Sequence, residues 1–323
     1  MALATTTKPK AKKQTPEEKI CAEIIALIEK GVNPWQKPWT AQTSGNYRNL
    51  ITGHLYSGAN TALLIMYEVS RGYTSNLYVG YAQAAKKNWT VKKGSKACYI
   101  LHPVPVCFDK TDKDGNPVKD DKGNVVKVQY MNFKPVAVFN SDCLVGADEK
   151  AQDALEQTIK HEQRNIKENF NDVETRKHKA FTTLKAYMDS QEIDLLEGGD
   201  RAYYSPSADN IGMPKPKQFQ TVDGYLATLA HECIHSTKKE SRLDRSFGFS
   251  MFGNDAYARE ELVAELGSAI LTRKLNVGSK IEHHTSYLKS WLSGIKEDTS
   301  YLFKSLAYAN KAANFILENQ ASN

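Results

Sequence analysis

Long apolar runs are missing from this 323-residue chain. None approaches the roughly 18 residues that span a bilayer, so no membrane partner is expected. The N-terminal stretch MALATTTKPKAKKQTPEEK lacks the apolar core of a secretory signal, and export by that route is not expected. Cysteine is sparse as well. Cys21, Cys98, Cys107, Cys143 and Cys233 are odd in number and include no CxxC pair. That argues against a disulfide framework or a cysteine-built zinc site and fits a reducing, cytoplasmic setting. No internal repeat is visible.

What is present is ordinary globular material, 41% hydrophobic and 25% charged, in a chain long enough for two cores at roughly 150 residues per domain. The net charge of +6 hides an asymmetry. Residues 1–145 carry 20 Lys and Arg against 11 Asp and Glu, whereas the remainder carries 23 against 26. The basic excess therefore belongs to the first half, where a polyanionic partner would bind.

Residues 1–16 are Lys, Thr, Ala and Pro without periodicity and read as a disordered basic arm. From Glu17, Ile20, Ile24, Leu27 and Ile28 share one helical face, with Gly31 as a stop. NPWQKPWT follows as an extended segment, and Asn60 to Ser70 reads as a second helix. GSKACYILHPVPV (94–106) reads as a strand, and the turn signals DGNP and KGN place hairpins between residues 107 and 140. Residues 146–180, strongly charged with weak periodicity, are expected to form a helical linker. RAYYSPSADNIGMPKPKQF has the short alternation and prolines of an edge strand with loops. Asp223 to Lys238, Tyr257 to Leu275, Tyr287 to Gly294 and Thr299 to Glu318 each have apolar residues at helical spacing.

The chemistry concentrates in His231-Glu232-Cys233-Ile234-His235. Residues four apart on a helix lie one above the other, so His231 and His235 can present their rings to one metal ion. Glu232 lies beside them, unable to reach the same ion easily but able to reach a water on it, and is the candidate general base. A catalytic zinc has three protein ligands and an open position. The amphipathic segment Tyr257 to Glu265 offers the third. Glu261 is the choice, because Ala264 at i+3 lets the helices approach and Glu265 at i+4 shares its face and can accept a histidine N–H from behind. Glu260 is the fallback. Tyr203 or Tyr204 are candidates to donate to an oxyanion, although packing on the helices suits them better. His283 and His284, being adjacent, face different ways and suit a loop or cap. DKTDKDG (109–115) lacks the spaced acids and final Glu of a calcium loop and reads as a turn.

In the first half, lysines interleave with Trp35, Trp39, Tyr47, Tyr56, Tyr73, Tyr78, Tyr81 and Trp89, and Lys86, Lys87, Lys92, Lys93 and Lys96 crowd around Trp89. Such a mixture suits single-stranded nucleic acid, with phosphates in a cationic groove and bases on aromatic faces. Composition alone slightly favours core aromatics beneath a solvated lysine face.

Nearly the whole chain resembles the ArdC family of plasmid antirestriction proteins, also found fused to the front of some plasmid TraC-type primases. In the first half the likeness lies in NPWQKPW (33–39), YRNLITGHLYSGANTALL (47–64), RGYTS (71–75) and VKKGSKA (91–97). In the second it lies in YYSPSADNIGMP (203–214), LATLAHECIHST (226–237), RLDRSFG (242–248), YAREELVAELGSA (257–269) and SYLKSWLSGIKED (286–298). The chain departs from the family in a long, charged hairpin region, 107–132, and in Cys233, where an aliphatic residue is more usual.

The resemblance implies an α+β architecture of two domains: a single-stranded-DNA-binding domain at 17–145 and, after the linker, a mainly helical zincin-like metallopeptidase domain with a small sheet at 181–323. It also implies a divalent metal, Zn²⁺ or alternatively Mn²⁺, on His231, His235 and Glu261, and a role in shielding incoming plasmid DNA from host restriction. The residues expected to contact DNA are Trp35, Lys37, Trp39, Tyr47, Arg48, Asn60, Lys86, Lys87, Trp89, Lys92, Lys93 and Lys96. A host restriction protein or another protein is the expected substrate of the metal site. Three alternatives stand beside this reading: a DNA-coating protein whose metal is structural, a metalloprotease acting on a host protein with DNA binding only for targeting, and a metal-dependent nuclease.

Overall fold

The computed structural model describes residues 14–35, 46–113, 115–168, 173–246, 255–278 and 287–320. Its first helix, α1 (Pro16–Glu29), begins where local chemistry demands. The Thr15 hydroxyl accepts from the Glu18 N–H, the Glu18 carboxylate accepts from the Thr15 N–H, and Pro16 occupies the first helical position. Ile20, Ile24, Leu27 and Ile28 are buried along one face, as their spacing predicts. The proposed basic arm lies almost wholly outside the described residues.

The rest of the first half is a mixed sheet with helices on it. Strand β1 (Arg48–Asn49) pairs parallel with β2 (Leu77–Gly80), and helix α2 (Ala59–Arg71) lies between them in the chain. The short helix α3 (Tyr81–Ala85) leads to β3 (Trp89–Val91). A long antiparallel hairpin follows, β4 (Cys98–Asp109) against β5 (Lys127–Asn140), in register from Cys98 opposite Val138 to Asp109 opposite Lys127. The sheet order is β1-β2-β5-β4, but β2 reaches only residues 138–140 of β5, so most of the hairpin projects as a two-stranded arm. Pro103, Pro105 and Pro135 fall in this arm, where a strand with a free edge tolerates a missing N–H.

Strand β6 (Leu144–Gly146) pairs with β3. Helix α4 (Glu149–Glu168) falls where a helical linker is expected, and it packs against the first half. Ala151 and Leu155 are buried with Trp89 and Leu144, Trp89 Nε1 donates to the Ala151 carbonyl at 3.2 Å, and Glu162 pairs with Arg48 at 3.0 Å. The weak sequence signal reflects how narrow the apolar stripe of this helix is.

In the second half, α5 (Val173–Ser190) precedes a three-stranded sheet of β7 (Asp194–Glu197), β8 (Tyr203–Ser205) and β9 (Asn210–Met213), ordered β7-β9-β8 with β9 central. Helices α6 (Val222–Ser236), α7 (Asp255–Leu275), α8 (Leu288–Glu297) and α9 (Thr299–Glu318) complete the chain. A Cβ on Gly267 of α7 would meet Ile234 side-chain atoms at 2.9 Å, so glycine permits the close approach of α7 to α6. That approach builds the site described below.

The architecture is α+β with two domains, and one hydrophobic cluster runs through both halves. The Trp35 ring meets Trp291 of α8 edge to face, with centroids 6.2 Å apart. Arg273 of α7 lies over the Tyr47 ring at 4.2 Å and 4.0 Å from the Glu68 carboxylate of α2. Among the described residues, no helix is long and apolar enough to cross a membrane.

Candidate metal centre

Helix α6 starts at Thr221, whose hydroxyl accepts from the Gly224 N–H at 3.0 Å. Three turns later it presents His231 and His235, both buried, with their Nε2 atoms 3.1 Å apart. From α7 comes Glu261, one oxygen 3.5 Å from His231 Nε2 and the other 3.4 Å from His235 Nε2. Donors bonded at about 2.1 Å to one tetrahedral ion would lie about 3.4 Å from each other, close to the distance from each Nε2 to its nearer Glu261 oxygen. Among the described residues, these three form the group of metal-type donors close enough to share an ion.

Both imidazoles are backed by carboxylates of the same helix. Glu260 meets His235 Nδ1 at 3.2 Å, and Glu265 lies 3.9 Å from His231 Nδ1. Glu260 thus faces the outer nitrogen of the ring rather than the inner triangle, which corrects its place as fallback ligand. The cause is Arg245, which grips Glu260 from the loop after α6 at 2.7 and 2.9 Å and turns it away. Asn33, from the other half of the chain, donates to Glu265 at 2.9 Å.

The electrostatics suit a cation. Burial disfavours a charged imidazole, yet the charge of Glu261, hydrogen bonds to Glu260 and Glu261, and the charge of Glu232 together raise the His235 pKa to about 10. Burial would likewise raise the Glu260 pKa, but hydrogen bonds from Arg245 and His235 and their charges hold it below the ordinary value. Glu232 is buried on the same turn as His231. Tyr257, one turn before Glu261 on α7, makes hydrogen bonds to Glu261 and Tyr287, and burial with the neighbouring Glu261 charge pushes its hydroxyl well above the usual range. Two imidazoles and a carboxylate, ringed by further carboxylates, form a donor set that fits a divalent ion of the zinc class.

Other expectations meet different outcomes. The Tyr204 hydroxyl donates to Asp209 at 2.8 Å, in a cluster with Arg242 and Lys239, and the Tyr203 ring covers Gly212. The Tyr204 hydroxyl is thus already committed to Asp209. His283 and His284 lie outside the described residues, as do Lys37 and Trp39. Trp35, Tyr47 and Trp89 are 1%, 0% and 3% exposed, so none offers a ring face to a base, and their place in the expected DNA surface is corrected to the core. Asn60 spends its amide on the Leu101 backbone, at 2.9 and 2.7 Å, pinning α2 to β4. Arg48 is tied to Glu162. Lys86, Lys87, Lys92, Lys93 and Lys96 are exposed, although the Lys92 ammonium donates to the Asp142 carbonyl at 2.8 Å. Tyr81, which opens α3 a few residues before Lys86, is 64% exposed and leans on Phe139. Sequence reasoning does not single it out for DNA, because nothing local separates an exposed tyrosine from the buried ones around it.

Comparison with known proteins places these features. Residues 14–139 match the family model of the N-terminal domain of anti-restriction factor ArdC, and residues 182–308 match that of a zincin-like metallopeptidase. A DNA primase TraC of Escherichia coli is 33% identical over 307 residues, which cover 93% of this chain and 20% of the primase. The chain therefore spans about a fifth of that relative's length. The crystal structure of the metal-free antirestriction ArdC protein from plasmid R388 is 30% identical, with 94% of this chain and 97% of that one covered at a TM-score of 0.63. The Mn(II)-bound structure of the same protein gives 28% identity, coverage of 95% and 98%, and the same TM-score.

Proposed function

Because the chain belongs to the ArdC antirestriction family, we propose that it binds single-stranded DNA through its first half, holds a divalent metal in its second, and protects incoming mobile DNA from host restriction. The observation that carries the metal half is the cluster of His231, His235 and Glu261, in which the two Nε2 atoms lie 3.1 Å apart and each has a Glu261 oxygen within 3.5 Å. Zinc is the first expectation for this donor set, and the Mn(II)-bound relative supports a divalent ion in general.

When bound, the ion supplies a Lewis acid that acidifies water and polarises the attacked carbonyl. The chain's own residues do the rest. Glu232 accepts the proton of the attacking water and returns it to the leaving amine of a peptide substrate. Glu260 accepts from His235 Nδ1 and so fixes the tautomer whose Nε2 lone pair faces the triangle. Glu265 supports His231 by charge at 3.9 Å, beyond hydrogen-bond length. Tyr257 steadies Glu261 through its hydroxyl.

Binding of single-stranded DNA rests on the exposed lysines at 86, 87, 92, 93 and 96, with Tyr81 as the exposed aromatic that the core-bound tryptophans are not. A second reading, in which the metal only stabilises the fold, is favoured by the burial of all three donors, since structural sites are closed.

Glu232→Gln separates the two. Transfer of plasmid DNA into a restricting recipient is measured for wild type, Glu232→Gln and His231→Ala, alongside metal content. Full protection by Glu232→Gln with metal bound would overturn hydrolysis and leave the structural metal. Loss of protection with metal retained supports the peptidase.

A further inference from the structure

Glu265 and Glu260 stand behind the two histidines in parallel, yet they are held in different ways. Arg245 pairs with Glu260 and neutralises it. Glu265, 2% exposed, receives a neutral donor, Asn33 Nδ2, from 232 residues away in the chain. A neutral amide fixes a carboxylate's orientation without cancelling its charge. The bond from Asn33 therefore orients Glu265 toward its histidine without taking up the charge that supports the ring.

Asn33 is itself locked. Its Oδ1 accepts from the Trp35 N–H at 3.0 Å, which leaves Nδ2 as the end facing Glu265. The Trp35 ring is packed edge to face on Trp291, and Trp291 Nε1 donates to the Ala258 carbonyl of α7 at 2.8 Å. The loop after α1 is thus fastened to the same helix that carries Glu261 and Glu265. Asn33 is buried, so its amide gains little from solvent and its bond to Glu265 satisfies a donor that burial would otherwise leave costly.

From this geometry we propose that Asn33 is a positioning residue of the metal centre, completing the support of His231 across the two halves of the chain. The inference rests on the metal reading of His231, His235 and Glu261. With Asn33 in place, Glu265 is restricted to the rotamer that points Oε2 at His231 Nδ1. Without it, the carboxylate loses a fixed donor, and the negative charge that supports the His231 ring is no longer held in place. Loss of an outer partner of a metal ligand typically costs 10- to 100-fold in metal affinity, and Asn33, acting through Glu265, belongs at the lower end, about tenfold.

The test uses the full chain and Zn²⁺ and Mn²⁺ as probes, with affinity measured by chelator competition, the visible spectrum of the Co²⁺-loaded protein, and thermal unfolding of the metal-stripped protein. Asn33→Asp keeps the acceptor for the Trp35 N–H but sets a second carboxyl where the donor to Glu265 stood, so the loop contact remains while the carboxylate is repelled instead of held. Asn33→Ala removes both. The expected result is affinity about tenfold weaker and a changed Co²⁺ spectrum in both variants, with no further loss when Asn33→Ala is added to Glu265→Gln. Affinity within twofold of wild type in both variants, or losses from Asn33→Ala and Glu265→Gln that multiply, would overturn the proposal. Wild-type protein that takes up no metal, or His231→Ala protein that retains it, would instead sink the metal reading beneath it.

Discussion

Arg245 and Glu260 form a two-point clasp, Nη2 to Oε1 at 2.7 Å and Nε to Oε2 at 2.9 Å, with only 1% and 7% of the two side chains exposed. Two further Arg245 donors go to the Thr237 hydroxyl and the Ile234 carbonyl at the end of α6. One guanidinium therefore ties the helix of the two histidines to the helix of the glutamates.

Removing one member of so buried a pair strands the other. Arg245→Met is expected to destabilise the protein by about 3–5 kcal/mol, the range for breaking a buried ion pair. Urea unfolding of the metal-stripped protein measures it, and a loss below about 1 kcal/mol would show that the clasp contributes little.

On the proposed peptidase reading, Glu232→Gln keeps the ligands and loses the base. Metal content is expected to equal that of wild type, while hydrolysis of a peptide substrate falls by about 10²- to 10⁴-fold. A variant that loses metal together with activity would mean that Glu232 belongs among the ligands.

The exposed surface of the first half separates from its core by mutation. Alanine at Lys86, Lys87, Lys92 and Lys93 is expected to weaken binding of a fluorescent single-stranded oligonucleotide and to flatten its salt dependence by about 0.7 for each phosphate no longer neutralised. Tyr81→Ala should cost about 1–3 kcal/mol of that binding if a base stacks on it, with unfolding unchanged. Trp89→Ala, by contrast, empties a core site and should cost about 3–5 kcal/mol of stability. Equal oligonucleotide affinity in all the lysine variants would remove this surface from the DNA reading.

Asp209 links acid stability to the β8–β9 turn. Burial would raise its pKa, but hydrogen bonds from Arg242, Lys239 and Tyr204 and the charge of Arg242 bring it from 3.8 down to about 2. A carboxyl depressed in the folded state contributes stability above its unfolded value, and the contribution is lost as pH falls through the folded one. Thermal unfolding from pH 6 to pH 2 should show Asp209→Asn less stable than wild type at pH 6, with a smaller drop between pH 4 and pH 2. Parallel curves would refute the linkage.

Close packing of α6 on α7 is set by one missing side chain. Gly267→Ala places a methyl 2.9 Å from Ile234 side-chain atoms and should cost about 1–3 kcal/mol by overpacking, partly restored when Ile234→Val makes room. Thermal unfolding of the single and double variants measures both effects.

Local periodicity specifies much of the secondary structure. The spacing of Ile20, Ile24, Leu27 and Ile28, the helices around HExxH and Glu261, and the hairpin signals after residue 107 are all properties of short stretches of chain. The i, i+4 geometry of His231 and His235 is likewise written into a helix, and Glu261 follows from the need of such a pair for a third donor. Contacts between distant segments are not written that way. Glu260 and Glu261 face about 100° apart on their helix, but which of them meets the histidines' inner nitrogens is shown only by the contacts of Glu260 with Arg245 and His235 Nδ1. Trp35, Tyr47 and Trp89 have the composition of a DNA-stacking surface, and only packing against α8, α7 and α4 puts them inside while leaving Tyr81 out. Asn33 opens the NPWQKPW stretch, yet nothing local ties it to a metal: its amide meets Glu265 because the two halves share a core. The sequence by itself determined the helical chemistry of the metal ligands, since that depends on neighbours three and four residues away. Tertiary structure alone decided which side chains support them and which aromatics face solvent, since burial depends on residues far apart in the chain.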